Sequence, residues 1–249
     1  MTKVINRLLA DNKGRGLFRV ENDANEATIY LYDVIVSDAE WGGVSAIDFA
    51  RALAAIGPTA IVHLRINSPG GEVFAAQAMA SAIKERTGKT VAHVDGLAAS
   101  SASWLAMAAD EVVISDGGMM MIHQAMTFAA GDAEDLRATA ALLEKIDGIL
   151  VDTYAKATGQ TPEQIAAWMA AETWFTAQEA VDAGFAGRIA ESAPRNLKSW
   201  NLSAYAHPPA AAAPENYEDS DAPTDPPAPS PTNTEHMLRR LRLAELQSD

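Results

Sequence analysis

A chain of 249 residues in which 48% of the side chains are apolar is long enough to bury one substantial core, with room for appendages. Its formal charge of −14 sets the average surface against nucleic acid and membrane as partners, and the lack of cysteine removes disulfides, thiolate catalysis and cysteine-ligated zinc. Residues 1–10 are slightly basic but hold no long apolar run, and no later stretch approaches the length of a membrane span, so a soluble protein of the cytoplasm is expected.

Residues 16–20 and 27–36 are rich in β-branched and aromatic side chains, and the turn chemistry of 23–25 between them predicts an opening hairpin. Ser45 with Asp48 three residues later starts a first amphipathic helix, which Gly57-Pro58 ends. Residues 59–66 form a buried strand that runs into Asn67-Ser68-Pro69-Gly70-Gly71, followed by an alanine- and methionine-rich helix over 72–86. Two glycines at a strand end let a backbone N–H face a ligand with no Cβ in the way; an ordinary tight turn would use the same residues.

A second apolar strand over 90–95 leads to Gly96-Leu97-Ala98-Ala99-Ser100-Ser101 and a small-residue helix over 102–108. A β-rich segment, a glycine, two alanines and a serine at a helix start can raise a nucleophile onto a sharp turn, with the free N–H groups of the helix aimed at a developing oxyanion. Ser100 is therefore a candidate nucleophile, although Ser100 or Ser101 could equally serve as a helix cap. Residues 111–115 are the next strand, and the repeated strand–helix alternation implies parallel strands with right-handed crossovers, an α/β fold.

Met119 to Ile122 is a short apolar strand that delivers His123 at its end, the candidate general base, or else a structural histidine. His63 and His93 lie inside apolar strands, where a hydrogen-bonded structural role is expected. Residues 124–131, with Met126 and Phe128, could offer an extended edge to a peptide. From Asp132 to Gly159, Leu136, Ala140, Leu143, Leu150 and Tyr154 recur at helical spacing over a length that projects beyond a single domain or packs on a partner, so a homo-oligomer is expected. Thr161-Pro162 and the capping box Thr176 to Glu179 open two more helices, and Gly187-Arg188-Ile189 closes a domain spanning 1–193. Residues 194–233 read as an acidic Pro/Ala-rich linker and disordered tail, and 234–249 as a short basic amphipathic helix that folds on a partner.

Taken in order, Asn67-Ser68-Pro69-Gly70-Gly71, Gly96-Leu97-Ala98-Ala99-Ser100 and Ile122-His123-Gln124 resemble the signatures of the ClpP family of serine peptidases, and 174–185 resembles that family's closing motif. The resemblance covers 27–189. It implies stacked βαβ units of the crotonase type with a protruding handle helix, the stretch from Asp132, in subunits that form rings and join ring to ring. It further implies that Ser100 attacks a peptide carbonyl, that His123 takes its proton, and that the N–H groups of Gly71 and Ser101 hold the oxyanion. Gly70, Gln124 and Met126 are expected to contact substrate, and no metal or cofactor is expected. The family's aspartate, which orients the histidine, falls where this chain has Thr173, with charged Glu172 beside it; Glu172 is preferred for its charge. The amino terminus does not resemble the segment with which cellular ClpP engages its ATPase, and the added tail resembles head maturation proteases of tailed phages. The resulting expectation is an ATP-independent, self-cleaving serine endopeptidase that processes capsid or scaffold protein inside assembling proheads, with no ATPase partner. Its alternatives are a housekeeping ClpP-type peptidase working with an ATPase unfoldase, and a non-proteolytic assembly scaffold on a degenerate fold.

Overall fold

In chain order, helix α1 (Lys3–Asp11) precedes a hairpin of β1 (Leu17–Asp23) and β2 (Glu26–Tyr32), and the short strands β3 (Ile35–Val36) and β4 (Val44–Ser45) lead into α2 (Ala46–Ala54). There follow β5 (Ile61–Ser68), α3 (Val73–Lys84), β6 (Thr90–Ala99), α4 (Ser101–Ala106), β7 (Glu111–Ser115) and β8 (Met119–Ile122). The described chain then continues through α5 (Ala133–Thr158), α6 (Pro162–Ala170), β9 (Thr173–Thr176), α7 (Ala177–Asp182) and β10 (Arg188–Ala190). This computed structural model describes residues 3–23, 25–190 and 200–209. Apart from residues 200–209, the linker expected over 194–233 and the basic helix expected over 234–249 lie outside the described residues.

Local chemistry sets the element boundaries. The Ser45 hydroxyl accepts the Asp48 N–H at the start of α2, the Thr161 hydroxyl caps α6 ahead of Pro162, and Thr176 and Glu179 exchange both bonds of a capping box at α7. Asp132 and Asp135 form a second capping box at α5, and Gly159 ends that helix in the left-handed conformation.

The eight-stranded sheet runs β1-β2-β5-β6-β7-β10, with β8 on β6 and β9 on β8. Its pairs are parallel except β1 with β2 and β8 with β9. Alternation separates the two faces of the sheet. Ile29, Leu64, Ile66 and Val94 join Phe49 of α2, Met79 of α3 and Leu105 of α4 in the main core, whereas Tyr32, His63, Arg65, His93 and Asp95 carry a polar network on the other side. The 26-residue α5 is about 39 Å long at 1.5 Å per residue. Only its Leu150 and Tyr154 are buried, while Leu136 and Leu142 stay exposed, so its carboxyl half docks and its amino half protrudes as a handle.

Three features differ from the sequence expectation. Residues 3–11 form a helix, and Thr173–Thr176 is a strand too short to show a period. Residues 200–209, expected to belong to a linker, instead lie on the body: Trp200 and Tyr205 are buried in a second apolar cluster with Ile5, Leu8, Val34, Val36 and Met121. Three large apolar side chains in six residues, Trp200, Leu202 and Tyr205, supply the burial that the rest of a Pro/Ala-rich tail cannot. Asn12 and Asn201 fasten this contact, the Asn12 amide donating to the Asn201 carbonyl and its oxygen accepting the Asn201 N–H.

Candidate active site

The site begins with a change of partner along β6. Val91–Val94 pair with β7, but Leu97–Ala99 pair with β8, so the end of β6 and the end of β8 emerge side by side. Ser100 follows at φ 54° and ψ −125°, a conformation costly for a residue with a Cβ and typical of a nucleophile raised on a sharp turn. The surroundings hold it there. Its N–H donates to the Met121 carbonyl at 2.9 Å, and its own carbonyl accepts the Ser103 hydroxyl at 2.7 Å. Ser103 in turn lies 2.9 Å from the hydroxyl of Tyr154, which is buried on α5, so the base of the handle braces the elbow. The Ser100 Oγ lies 2.7 Å from Nε2 of His123, the first residue after β8.

Gly70 and Gly71 run alongside the elbow. A Cβ on Gly70 would sit against the Ala99 carbonyl and 2.8 Å from the Ser100 Cβ, and one on Gly71 would enter the Ile35 main chain. Both have positive φ, so glycine is needed for space and for conformation. Gly70, expected to contact substrate, donates its N–H to the Ser68 hydroxyl and accepts the Ile35 N–H at its carbonyl. Its role here is to shape the turn. The N–H groups of Gly71 and Ser101 have no acceptor among the described residues, and both residues line the cleft beside Ser100.

His123 is half-buried by its neighbours, and this desolvation pushes its pKa below the ordinary value; the charge of Glu172 and a hydrogen bond with the Gln124 main chain work in the opposite direction. Neither candidate for the orienting residue hydrogen-bonds the ring. The Thr173 hydroxyl donates to the Trp168 carbonyl at 2.8 Å, five residues back, and is occupied there. Glu172 sits at φ 49° with its carboxylate accepting the N–H groups of Ala206 at 2.9 Å and His207 at 2.6 Å, and the Trp174 indole N–H at 3.4 Å. It reaches His123 through its charge.

A cleft of about 630 Å³ opens in front of the serine. Gln124 and Met126 line it on one side, with Phe74 and Phe128 beyond them and Leu143 and Ile146 of α5 below. An apolar trough with a nucleophile, a neutral imidazole and two unengaged N–H groups at its rim can accept an extended acyl substrate. Among the described residues there is no cluster of three His, Asp or Glu side chains suited to a metal and no helix long and apolar enough to cross a membrane. Sequence reasoning missed Ser103, Tyr154 and Tyr205. Ser103 was readable as the third residue past the elbow, but the partners of Tyr154 and Tyr205 lie at sequence separations of 51 and 136.

Residues 5–193 match the Clp protease family. The chain is 34% identical over 134 residues to ATP-dependent Clp protease proteolytic subunit 1 of Leifsonia xyli subsp. xyli, covering 53% of this chain and 68% of that protein. It is 32% identical over 166 residues to the proteolytic subunit 1 of Protochlamydia amoebophila, covering 64% and 80%. A solved ClpP1 point mutant from Listeria monocytogenes superposes with a TM-score of 0.58 at 25% identity, covering 66% of this chain and 91% of that one. These names overturn the expectation of an ATP-independent head maturation protease without an ATPase partner: the relatives are proteolytic subunits of ATP-dependent proteases. The error came from weighing the tail and amino terminus above the body, where the matched residues lie. With motifs, fold and site geometry agreeing, the chain belongs to the Clp protease family of serine peptidases.

Proposed function

We propose that this chain is the proteolytic subunit of an ATP-dependent Clp-type peptidase, cleaving peptide bonds in chains that an ATPase unfoldase delivers. The observation that carries the chemistry is the Ser100 hydroxyl 2.7 Å from the His123 imidazole, on a strained elbow. The names of the relatives supply the ATPase. Ser100 attacks the carbonyl carbon as Nε2 of His123 takes its proton, and the oxyanion that forms is held by the N–H groups of Gly71 and Ser101. His123 then protonates the leaving amine. A water, deprotonated by the same ring, releases the acyl group from Ser100. Burial keeps the imidazole neutral and ready to accept the proton, and the Glu172 charge stabilises the imidazolium once formed. Gln124 and Met126 contact the substrate in the cleft, and the exposed Leu136 and Leu142 on the handle pack between copies in a ring-like homo-oligomer.

The test is degradation of a stably folded substrate by the purified chain with a Clp-type ATPase, with and without hydrolysable ATP, alongside cleavage of a short unstructured peptide. Peptide cleavage without ATP and folded-substrate degradation only with it are expected. A fluorophosphonate should label the wild type and not Ser100→Ala. Degradation of the folded protein at equal rates without ATP would reject the unfoldase partnership, and absence of labelling would reject the peptidase.

A further inference from the structure

We propose that residues 200–207 are a working part of the active site, in which Tyr205 positions His123 and shields it from water while the Ala206 and His207 amides hold Glu172 beside it. This rests on the Ser100–His123 peptidase reading and adds a positioning residue to it. The Tyr205 ring meets the His123 ring edge to face, with centroids 5.5 Å apart, and meets Trp174 in the same way at 5.8 Å. Its hydroxyl donates to the Pro69 carbonyl, one residue before the paired glycines. One buried side chain therefore touches the base and the turn that carries Gly71. Five residues earlier, the Trp200 indole N–H donates to the Asn67 side-chain oxygen at 3.2 Å, holding the start of the same turn.

The main chain does the second half of the work. Ala206 and His207 give successive N–H groups to the two oxygens of Glu172, a pair of hydrogen bonds that holds this side chain in place although the residue is buried. A linker packed for solubility alone would not reach the base, the turn and the charge together. The groups packed on the imidazole are Ser100 from the elbow, Tyr205 from this segment and Glu172 at the entry to β9. On α5, Asp147 is held by the Ala125 N–H at 2.6 Å, two residues past the ring. Glu172 is thus the charge facing His123, and Tyr205 is its aromatic cover.

The experiment measures kcat/KM for an unstructured peptide from pH 5 to 9 in the full-length protein and in Tyr205→Phe and Tyr205→Ala, with a thermal melt of each. Loss of the ring admits water to His123, so in Tyr205→Ala the acid limb should move up towards the ordinary histidine value of about 6.5 and kcat/KM at neutral pH should fall roughly 10- to 100-fold. Tyr205→Phe keeps the ring and should keep the acid limb, losing only a few-fold through the turn. A purely structural tyrosine would lower the melting temperature without moving that limb. Tyr205→Leu keeps an apolar side chain in the cluster and replaces Tyr205→Ala should the latter not fold. An active wild type whose acid limb is unmoved in the folded variant overturns the positioning role alone. A wild type that neither cleaves peptide nor takes a fluorophosphonate overturns the peptidase reading, and the positioning role falls with it.

Discussion

Two histidines among the described residues have their pKa pushed down by burial, and they do different things. His123 has a serine hydroxyl at 2.7 Å, on an elbow with two unengaged N–H groups beside it. His93, brought down to about 4 by burial and by the neighbouring Arg65 and His63, meets the ring of His63 at 3.0 Å on the adjacent strand. Beside that pair, Arg65 donates twice to Asp95, which also accepts the Tyr32 hydroxyl at 2.5 Å. Desolvation makes both imidazoles neutral. Chemistry requires in addition a nucleophile and donors with nothing else to bind, and the sheet supplies those where β6 and β8 end together.

The sharpest break in this comparison removes each histidine in turn. Ser100→Ala and His123→Ala should each lower kcat/KM for a peptide by about 10³-fold or more, with the double variant little worse, because the two groups act as a unit. His93→Gln should leave kcat/KM within about twofold, since a surface or structural change away from the reacting atoms alters stability instead. A loss in His93→Gln comparable to that in His123→Ala would erase the distinction. Next in size is Arg65→Ala, which leaves the nearly inaccessible Asp95 carboxylate without its cation. A cost of about 3 kcal/mol in chemical denaturation is expected, with peptide cleavage by the folded fraction unchanged.

Much of the catalytic layer was legible because its signals are local. The caps at Ser45, Thr161 and Thr176, the alternation around β5 and β6, and the run from Asp132 to Gly159 each declare themselves within a few turns of chain, and the structure has all of them. The Ser100 elbow and His123 were found as motifs and are brought together by β6 exchanging β7 for β8. The second apolar cluster was illegible. Asn12 and Asn201 meet across 189 positions, and neither α1 nor residues 200–207 announces a partner for its few apolar side chains. The sequence preferred Glu172 over Thr173 on charge alone; what holds Glu172 in position was beyond it. That position depends on a positive φ at Glu172 and on amides more than thirty residues downstream.

The pH dependence of stability sharpens the same contrast. His93 binds a proton less readily folded than its ordinary value of 6.5. The unfolded chain therefore takes up the proton first, and the stability from a neutral His93 is complete above about 6.5 and lost as pH falls towards about 4. Melting temperatures measured across that window should fall towards the acid end in the wild type, with a shallower slope in His93→Gln. Equal slopes would mean that the His63–His93 pair has no part in acid unfolding.

The smallest effects concern the residues beside His123, and here the signs separate two roles. Thr173→Val removes a hydroxyl whose bond goes to the Trp168 carbonyl, so about 1 kcal/mol of stability should be lost while kcat/KM stays within about twofold. Glu172→Gln removes the charge that raises the His123 pKa, so the acid limb of the pH profile should move down. That is the direction opposite to the one expected for Tyr205→Ala. The imidazolium of the transition state also loses its countercharge, and kcat/KM on the plateau should drop by about tenfold, well short of the roughly 10⁴-fold that a carboxylate hydrogen-bonded to the ring contributes, because Glu172 acts through its charge alone. Thermal stability should fall as well, because the Ala206 and His207 amides then face a neutral acceptor with one oxygen instead of two. An unmoved limb with an unchanged plateau in Glu172→Gln would make Ser100 and His123 a dyad, with Glu172 serving only to anchor the carboxyl-terminal segment.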